Sequence, residues 1–235
     1  MKELAQDIWY VDGEAVSFFG FPYSTRMVVV RLKNGQLWVH SPIRLSDEIK
    51  RQLAELGEVA SLVAPNQLHH LFLPDWLQAY PKAVLYGTAG VAKKRPDLTF
   101  HHVFAAQEPS CWPSDLNMLL FTGSAVMEEC VFLHQASGTL IVTDLIENFT
   151  PSQFPPVKRL VAKITGILAP NGKMPLDWRS SFMFKKALVR SHIAKLVAWQ
   201  PKRIVMAHGE IVPNNATAFL QRSFSWADLS RCEVD

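Results

Sequence analysis

The hydrophobic positions of the chain form short strand-like runs that end in residues able to bind a metal ion. Residues 62–64 (Leu-Val-Ala) form one such run, which the turn pair Pro65-Asn66 stops just before two adjacent histidines, His69 and His70. Two further runs end in a similar way, residues 139–143 at Asp144 and residues 203–207 at His208. Because sheets with parallel strands bring the residues just past their strand ends into one crevice, we expect these side chains to meet there.

Three imidazoles and one carboxylate are suitable ligands for a transition metal. The pattern therefore predicts a metal site made of His69, His70, Asp144 and His208. The alternative for each histidine is a structural hydrogen bond at a strand end, and for Asp144 it is a turn or a helix cap. Adjacent side chains tend to diverge, so the sequence allows one histidine of the pair to face away from the site.

A β-hairpin and a helix precede the first of these runs. Residues 26–32 (RMVVVRL) are rich in β-branched side chains and predict a strand, Asn34-Gly35 predicts a type I′ turn, and residues 36–40 predict the partner strand. Ser46 is a suitable N-cap for a helix that Gly57 ends. After the histidine pair the pattern predicts a short helix over residues 71–80, a strand over 83–86 and a loop over 87–96.

The second half of the chain has a similar order of elements, without any internal repeat in sequence. The predicted elements are strands over residues 117–122, 126–134 and 139–144, a loop over 147–156, an amphipathic helix over 157–168, a long helix over 180–199 and a strand over 203–207. Two such halves favour an α/β (α+β type) fold, a four-layer αββα sandwich in which two mixed β-sheets face each other and helices cover the outside. We expect residues 1–235 to form a single domain.

Composition and charge narrow the classes of function. Hydrophobic residues make up 49% of the chain and charged residues 19%, which is typical of a globular protein with a sizeable core. The net charge is only +3 and no basic patch is interleaved with aromatic residues, so a nucleic-acid partner is not expected. The basic residues within 158–163 and 185–195 are interpreted as solvated helix faces, the alternative being a basic rim that attracts an anionic substrate.

Cysteine content and the distribution of apolar residues bear on the location of the protein. Cys111, Cys130 and Cys232 are widely spaced and odd in number, which argues against a disulfide framework and against a cysteine-type zinc site. The first residues lack the apolar core of a signal peptide, and no stretch approaches the roughly 18 apolar residues of a membrane span. We therefore expect a cytoplasmic protein without a membrane span, and the sequence leaves its oligomeric state open.

Several phrases of the sequence resemble those of a known superfamily. The phrases RMVVVRL, LWVHSP, VAPNQLHHLFL, FLHQASGTLIVTDL and MAHG are similar to an uncharacterised family, a domain of unknown function, within the metallo-β-lactamase superfamily. The resemblance covers nearly the whole chain. It implies the four-layer αββα fold and a hydrolase that depends on a divalent metal.

The metal-binding motif of that superfamily is altered in this chain. When the last histidine of its His-x-His-x-Asp-His motif is placed on His70, the first two histidines fall on Pro65 and Gln67. A further histidine of the family falls near Gly123-Ser124 and is also lost. The positions that correspond to the second metal site all hold suitable ligands, namely His69, His70, Asp144 and His208. The resemblance thus implies one metal ion rather than two.

Two functions remain open at this point. The first is a hydrolase of an ester, thioester or phosphoester that uses one divalent metal ion, either Zn or, alternatively, Fe or Mn, with Asp144 and His208 as catalytic residues. Since four protein ligands fill a tetrahedral zinc ion, this function requires a fifth coordination position or one predicted ligand that does not bind. The second is a non-catalytic binding or scaffold protein without a functional metal site.

The other histidines and two adjacent glutamates complete the candidate residues. His134 is a candidate alternative ligand or proton shuttle, and His40 is a candidate for orienting a metal ligand. The remaining residues are expected to be structural or at the surface: His101, His102 and His192, with Glu128 and Glu129 on a solvated hairpin edge.

Overall fold

The computed structural model describes residues 1–18 and 21–227, and eleven strands and seven helices lie within these ranges. The strands are β1 (Lys2–Ala5), β2 (Ile8–Phe18), β3 (Phe21–Arg31), β4 (Leu37–His40), β5 (Val59–Ala64), β6 (Val84–Gly87), β7 (His102–Val103), β8 (Leu116–Phe121), β9 (Glu129–His134), β10 (Thr139–Ile141) and β11 (Arg203–Val205). The helices are α1 (Asp47–Leu56), α2 (Leu73–Ala79), α3 (Ala89–Lys94), α4 (Pro156–Thr165), α5 (Leu176–Ser180), α6 (Lys186–Ala198) and α7 (Ala216–Ser223). Cys232 lies outside the described residues.

The first sheet contains strands β1 to β7 in chain order. Its first four strands are antiparallel to one another, whereas β4, β5, β6 and β7 run parallel. A hairpin is present after β3, but the predicted type I′ turn was wrong. Gly35 has φ +82°, whereas Asn34 lacks the positive φ that a type I′ turn requires at both central residues. The Gly35 N–H donates to the Leu32 carbonyl oxygen at 2.8 Å, which places Lys33 and Asn34 at the centre of the turn. The parallel pairing places the carboxyl ends of β4 and β5, and therefore His40 and Ala64, at the same edge of the sheet.

The second sheet has the order β11-β10-β9-β8. Strands β10 and β11 are parallel, with Ile141 beside Val205, so the residues that follow both strands leave the sheet at the same end. Strand β9 is antiparallel to β10 and to β8. Both sheets are therefore mixed, as the sequence predicts.

Successive side chains of a strand point to opposite faces of its sheet, and in both sheets apolar side chains on each face pack against other elements. In β3, Val28 and Val30 pack in the core between the two sheets, while Met27 and Val29 pack against α1, α2 and α3. In β9, Phe132 belongs to the core between the sheets and Val131 to a cluster that includes residues of α5, α6 and α7. The result is the predicted four-layer αββα sandwich.

Two helical assignments differ from the prediction. Residues 87–96, predicted as a loop, contain α3, which has no acidic residue in its first turn and no side-chain N-cap, so its sequence signals are weak. The long helix predicted over 180–199 is shorter in the structure, where α6 begins only at Lys186, because the turn before it inserts Phe182 into the core of the second sheet. Helix α1 has the predicted ends, with the Ser46 hydroxyl accepting from the Ile49 N–H.

Among the described residues, no helix combines the length and the apolar character that a membrane crossing requires.

Candidate metal centre

Strand ends of both sheets deliver the predicted ligands to one cleft. His69 lies in the turns that follow β5 in the first sheet, whereas Asp144 and His208 follow β10 and β11 in the second. His69, Asp144 and His208 each offer a ligand atom within 4.8 Å of the others. Three of the four predicted ligands are thus close together.

The distances within this cluster fit one metal ion. The Nε2 atom of His69 is 3.0 Å from Oδ2 of Asp144, and Nε2 of His208 is 3.1 Å from Oδ1 of the same carboxylate. Ligand atoms each about 2 Å from a tetrahedral zinc ion lie about 3–4 Å from one another. Two imidazoles and a carboxylate are also a usual donor set for zinc.

The hydrogen bond of His208 to the backbone fixes which of its nitrogens carries a proton. Nδ1 is 2.6 Å from the carbonyl oxygen of Ser24, and because a carbonyl only accepts, Nδ1–H is the donor. A neutral His208 then has its lone pair on Nε2, directed at the negatively charged Asp144. Two acceptors at this distance repel unless His208 is protonated or a cation lies between them.

His69 and Asp144 are each held by a neighbouring polar side chain. The hydroxyl of Ser41, directly after β4, is 2.6 Å from Nδ1 of His69, so Nε2 is the nitrogen that faces Asp144. The amide of Asn66 donates to Oδ2 of Asp144 at 2.6 Å and to the hydroxyl of Thr143 at 3.0 Å. Such partners orient metal ligands and set their basicity.

Glu129 is the buried support of the Asp144 loop, so its predicted position on a solvated edge was wrong. Its side chain is 0% exposed and accepts backbone N–H groups of Thr143, Asp144 and Leu145 at 2.7–3.1 Å. It also accepts from Asn66 at 3.1 Å. The carboxylate thereby satisfies the donors of a tight turn that has no ladder partner, which explains why a charged residue occupies the first position of β9.

The electrostatics of the cluster favour an ionised Asp144. Burial alone would raise the pKa of Asp144, but the positive charge and hydrogen bonds of His69 and His208 outweigh it and hold the pKa well below its usual range. A carboxylate that stays ionised in a buried site is a competent metal ligand.

His70 lies outside the three-residue cluster. The guanidinium of Arg95 donates to Nδ1 of His70 at 3.2 Å and to its carbonyl oxygen at 3.1 Å. Because Nδ1 accepts, a neutral His70 has its proton on Nε2 and no free lone pair. Burial, followed by the charges of Lys94 and Arg95, lowers the pKa of His70 to about 4, so it is neutral near pH 7.

His134 is remote from the cluster, so it is not the alternative ligand or proton shuttle for which the sequence made it a candidate. Since β9 and β10 are antiparallel, His134 pairs with Thr139 at the start of β10, the end opposite to Asp144. Its Nδ1 lies 2.8 Å from the Ser137 hydroxyl, and it lines a different cavity. Sequence proximity to a strand that leads to the site thus gives no information about which end the residue occupies.

His40 is buried between aromatic rings rather than hydrogen-bonded to a ligand. Its ring stacks on Trp38 at a centroid distance of 5.3 Å and meets the edge of Phe132. Its Nε2 has no hydrogen-bond partner within the described part of the chain. Burial, followed by the charge of His69, lowers the pKa of His40 well below its usual range. Its neighbour Ser41 takes the orienting role that the sequence suggested for His40.

The remaining histidines have structural contacts. Nδ1 of His101 accepts the Leu85 N–H, and Nε2 of His192 lies 3.3 Å from the Thr122 N–H. His102 pairs with Glu108 at 2.7 Å, and with the exposed Cys111 these residues form a second group of candidate ligand atoms. That group does not contribute to the cavity beside Asp144.

A cavity of about 450 Å³ opens beside the cluster, and all three cluster residues line it. Its remaining lining is mainly apolar and includes Ile43, Leu71, Phe72, Val126 and Trp178. This volume is suitable for a small molecule with an apolar portion.

Tyr23 and Glu147 form a buried polar pair in the wall of this cavity. The Tyr23 hydroxyl hydrogen-bonds to the Glu147 carboxyl, whose Oε2 finds no hydrogen-bond partner among the residues that the structure describes. Burial, with the charges of Asp144 and Asp177, raises the pKa of Glu147 well above its usual range. The site therefore favours the neutral form of this carboxyl relative to a solvent-exposed glutamate.

The loop that carries His208 is tied to the first sheet and to the Asn148 segment. Arg26 donates to the carbonyl oxygens of Met206 at 2.7 Å and Gly209 at 2.9 Å. A Cβ at Gly209, where φ is +95°, would lie 2.1 Å from the carbonyl oxygen of Asn148, so only glycine fits after His208. Both contacts hold the loop in the position in which His208 faces Asp144.

Sequence patterns did not identify five of these supporting residues, namely Arg26, Ser41, Asn66, Glu129 and Glu147. One signal was available for Glu129, a charged residue at the head of the apolar run 130–133. The others are polar residues in turns or on a strand, where polarity is ordinary.

We expect Ser41→Ala to weaken metal binding by about 10–100-fold, because the hydroxyl that orients His69 is lost. Ser41 has φ +54°, so Ser41→Gly tests the same hydroxyl without retaining a Cβ in the left-handed region. Competition with a metal-binding dye would measure the affinity. An unchanged affinity in both variants would contradict the orienting role.

We expect Glu147→Gln to alter the pH dependence of stability of the metal-free protein. Since the pKa of Glu147 is raised by folding, the folded state binds more protons, and its contribution to the free energy of unfolding falls as pH rises above the ordinary glutamate range. A glutamine does not titrate, so this loss with rising pH is absent in the variant. The free energy of unfolding of the variant should therefore increase relative to that of the wild type between about pH 5 and pH 8. Urea unfolding at both pH values measures the difference, and a difference that does not change with pH would contradict the prediction.

Comparison with known proteins adds a family and a fold. The profile of a domain of unknown function (DUF4336) matches residues 5–169, and no curated protein matches the chain. The chain is similar in structure to the metallo-β-lactamase DIM-1 (13% identity, 97% of this chain and 96% of that chain, TM-score 0.67). It is also similar to the metallo-β-lactamase from Hirschia baltica (12%, 99% and 97%, TM-score 0.63) and to the mono-zinc form of FIM-1 from Pseudomonas aeruginosa (11%, 99% and 96%, TM-score 0.62).

Proposed function

Because the chain belongs to the DUF4336 family and has the metallo-β-lactamase fold, we propose that it is a metal-dependent hydrolase with one divalent metal ion held by His69, Asp144 and His208. The observation that carries the proposal is that Nε2 of His69 and Nε2 of His208 approach the two oxygens of one Asp144 carboxylate at 3.0 Å and 3.1 Å, an arrangement that a cation stabilises. We propose zinc as the ion, on the strength of the donor set. Iron and manganese are the alternatives.

The proposal uses three of the four ligands that the sequence predicts. His70 is left out because its Nδ1 accepts from Arg95 and its other nitrogen then carries a proton. Three protein ligands leave the fourth tetrahedral position free, as catalytic zinc sites require. The mono-zinc form of FIM-1 is an example of a protein with this fold and a single zinc ion.

Bound there, a divalent ion lowers the pKa of a water ligand and polarises a carbonyl or phosphoryl oxygen. The residues of the chain supply orientation: Ser41 turns Nε2 of His69 into the site, and Asn66 holds the Asp144 carboxylate. The apolar cavity wall excludes water and binds the apolar portion of a small ester, thioester or phosphoester. Asp144 and His208 are the proposed catalytic residues in the sense that both would hold the ion. A cytoplasmic location is part of the proposal, since the odd cysteine number suits a reducing compartment.

A non-catalytic protein is the second candidate, and the cluster geometry also gives it support. If both histidines are protonated, each forms an ion pair with Asp144 at 3.0–3.1 Å, and the cluster is stable without a metal ion. The fold would then serve to bind a ligand or a partner.

Elemental mass spectrometry on protein purified without a histidine tag, combined with a hydrolysis panel before and after chelation, distinguishes these candidates. The hydrolase proposal expects about one Zn, Fe or Mn per chain and hydrolysis of at least one ester, thioester or phosphoester that chelation stops and that metal restores. Hydrolysis that persists in metal-free protein, or a protein without metal and without activity on any member of the panel, would reject it.

A further inference from the structure

Helix α4 turns its apolar stripe toward the solvent. Val157, Leu160, Val161 and Ile164 share one face at positions i, i+3, i+4 and i+7. All four are exposed, Val157 by 77% and Ile164 by 72%, whereas Ala162 is the only buried residue of the helix. A surface amphipathic helix ordinarily packs its apolar face inward, whereas among the described residues nothing covers this stripe, which makes it a candidate interaction surface.

Basic residues lie on both sides of this stripe. At 100° per residue, Lys158 follows the stripe on one side and Lys163 on the other, and α4 contains no acidic residue. Long basic side chains can lay their methylene stems along an apolar surface while their charged ends reach polar groups at its edge. This arrangement is typical of helices that lie in the plane of a membrane interface.

The segment around α4 has a pronounced excess of positive charge. Between residues 148 and 209 there are eleven basic residues and one acidic residue, Asp177, whereas the rest of the chain has 13 basic and 20 acidic residues. The eleven are Lys158, Arg159, Lys163, Lys173, Arg179, Lys185, Lys186, Arg190, Lys195, Lys202 and Arg203. The net charge of +3 conceals this segregation, which favours an anionic partner.

The same segment exposes a second apolar group. Phe184 is 90% exposed and Met183 is 60% exposed in the turn before α6, next to the exposed Lys185 and Lys186. A single exposed side chain needs no explanation, but here large apolar groups and lysines recur together on a second element of the segment.

We propose that α4 and the turn formed by residues 183–186 dock on a membrane surface that contains anionic phospholipid. The lipid headgroups would pair with the basic residues, and the stripe of α4 and Phe184 would enter the boundary of the acyl chains. A second copy of the chain is disfavoured as the occupant, because it would bring a surface of the same charge. A nucleic acid would pair with the charges but would leave the aliphatic stripe in water. The proposal goes beyond the hydrolase and does not depend on its metal ion.

Flotation with vesicles tests the docking surface. The full chain is expected to bind vesicles of phosphatidylcholine and phosphatidylglycerol mixed at about 2:1, and to bind pure phosphatidylcholine at least tenfold more weakly. Replacing both Lys185 and Lys186 with Gln should weaken binding by about 10–30-fold. Val157→Ser with Ile164→Ser should abolish binding at about 0.15 M salt without lowering the melting temperature, because both side chains are exposed.

Matched controls change similar residues outside the segment. Lys50→Gln with Arg51→Gln on α1, and Val103→Ser on β7, should leave vesicle binding within about twofold. His208→Ala should also bind vesicles normally, which separates this proposal from the hydrolase.

Three outcomes would overturn the docking proposal. They are equal binding to both kinds of vesicle or to neither, tight binding of a single-stranded RNA with no binding to vesicles, and a stable dimer that Phe184→Ser dissociates.

Discussion

His208→Ala should abolish both metal content and hydrolysis. The variant loses one of three proposed ligands and the only one whose tautomer is fixed by a backbone carbonyl, at 2.6 Å from Ser24. Metal content should fall from about one ion per chain to near zero, and the hydrolysis rate should fall by about 10³-fold or more, since activation by a metal ion contributes several kcal/mol. Elemental analysis and steady-state kinetics on the same preparation measure both quantities.

His70→Ala is the matched control, because it removes the adjacent-histidine candidate that lies outside the cluster. Its metal content should equal that of the wild type, since Nδ1 of His70 accepts from Arg95 and His70 does not belong to the cluster of His69, Asp144 and His208. Loss of metal in His70→Ala would instead support the four-ligand site that the sequence predicts. Full metal content and activity in His208→Ala would refute the three-ligand site.

Glu129→Ala is expected to cause the largest loss of stability. Three buried backbone N–H groups and the Asn66 amide would lose their acceptor, and each unsatisfied donor costs about 1–3 kcal/mol. We expect the free energy of unfolding to fall by about 3–5 kcal/mol, after allowing for partial relaxation and water entry. The variant should also bind metal more weakly, because Glu129 sets the backbone position of Asp144.

Glu128→Ala provides the comparison in the same strand segment. Its side chain is half-buried and its one hydrogen bond, from the Gly90 N–H, is long at 3.4 Å. Urea unfolding should therefore show a change within about 0.5–1 kcal/mol. Equal stability losses in the two variants would show that Glu129 does not have the supporting role assigned to it.

The fold was largely predictable because its signals are local and repeat along the chain. Alternation in β3, the hairpin at Asn34-Gly35 and the Ser46 cap each depend on a few neighbouring residues. All three are present in the structure, although the hairpin does not have the predicted type I′ turn. Helix α3, helix α5 and the late start of α6 were not predicted. Short helices have weak sequence signals, and the packing of Phe182 in the core keeps the residues before Lys186 out of the helix.

The candidate site, like the fold, could be predicted from the sequence only in part. The order of apolar runs and strand-end residues predicted that His69, Asp144 and His208 would meet, because parallel strand ends converge. The sequence pattern could not show which of the adjacent histidines, His69 or His70, is the ligand. A turn directs adjacent side chains differently, and Arg95, which binds His70, is distant from it in the chain. Nor could it distinguish Glu129 from Glu128, because burial depends on which face of the strand opposes the second layer.

The sequence by itself determined the alternation of apolar and polar residues, and with it the two mixed sheets, the outer helices and the chemical types at the strand ends. Only the tertiary structure decided which imidazole nitrogen is free, which glutamate is buried and that α4 directs its apolar stripe outward. These properties depend on contacts between residues far apart in the chain, such as Ser24 with His208, Ser41 with His69 and Asn66 with Asp144. A local pattern sets the side chains that an element offers, whereas the partners that orient and desolvate them are supplied by packing.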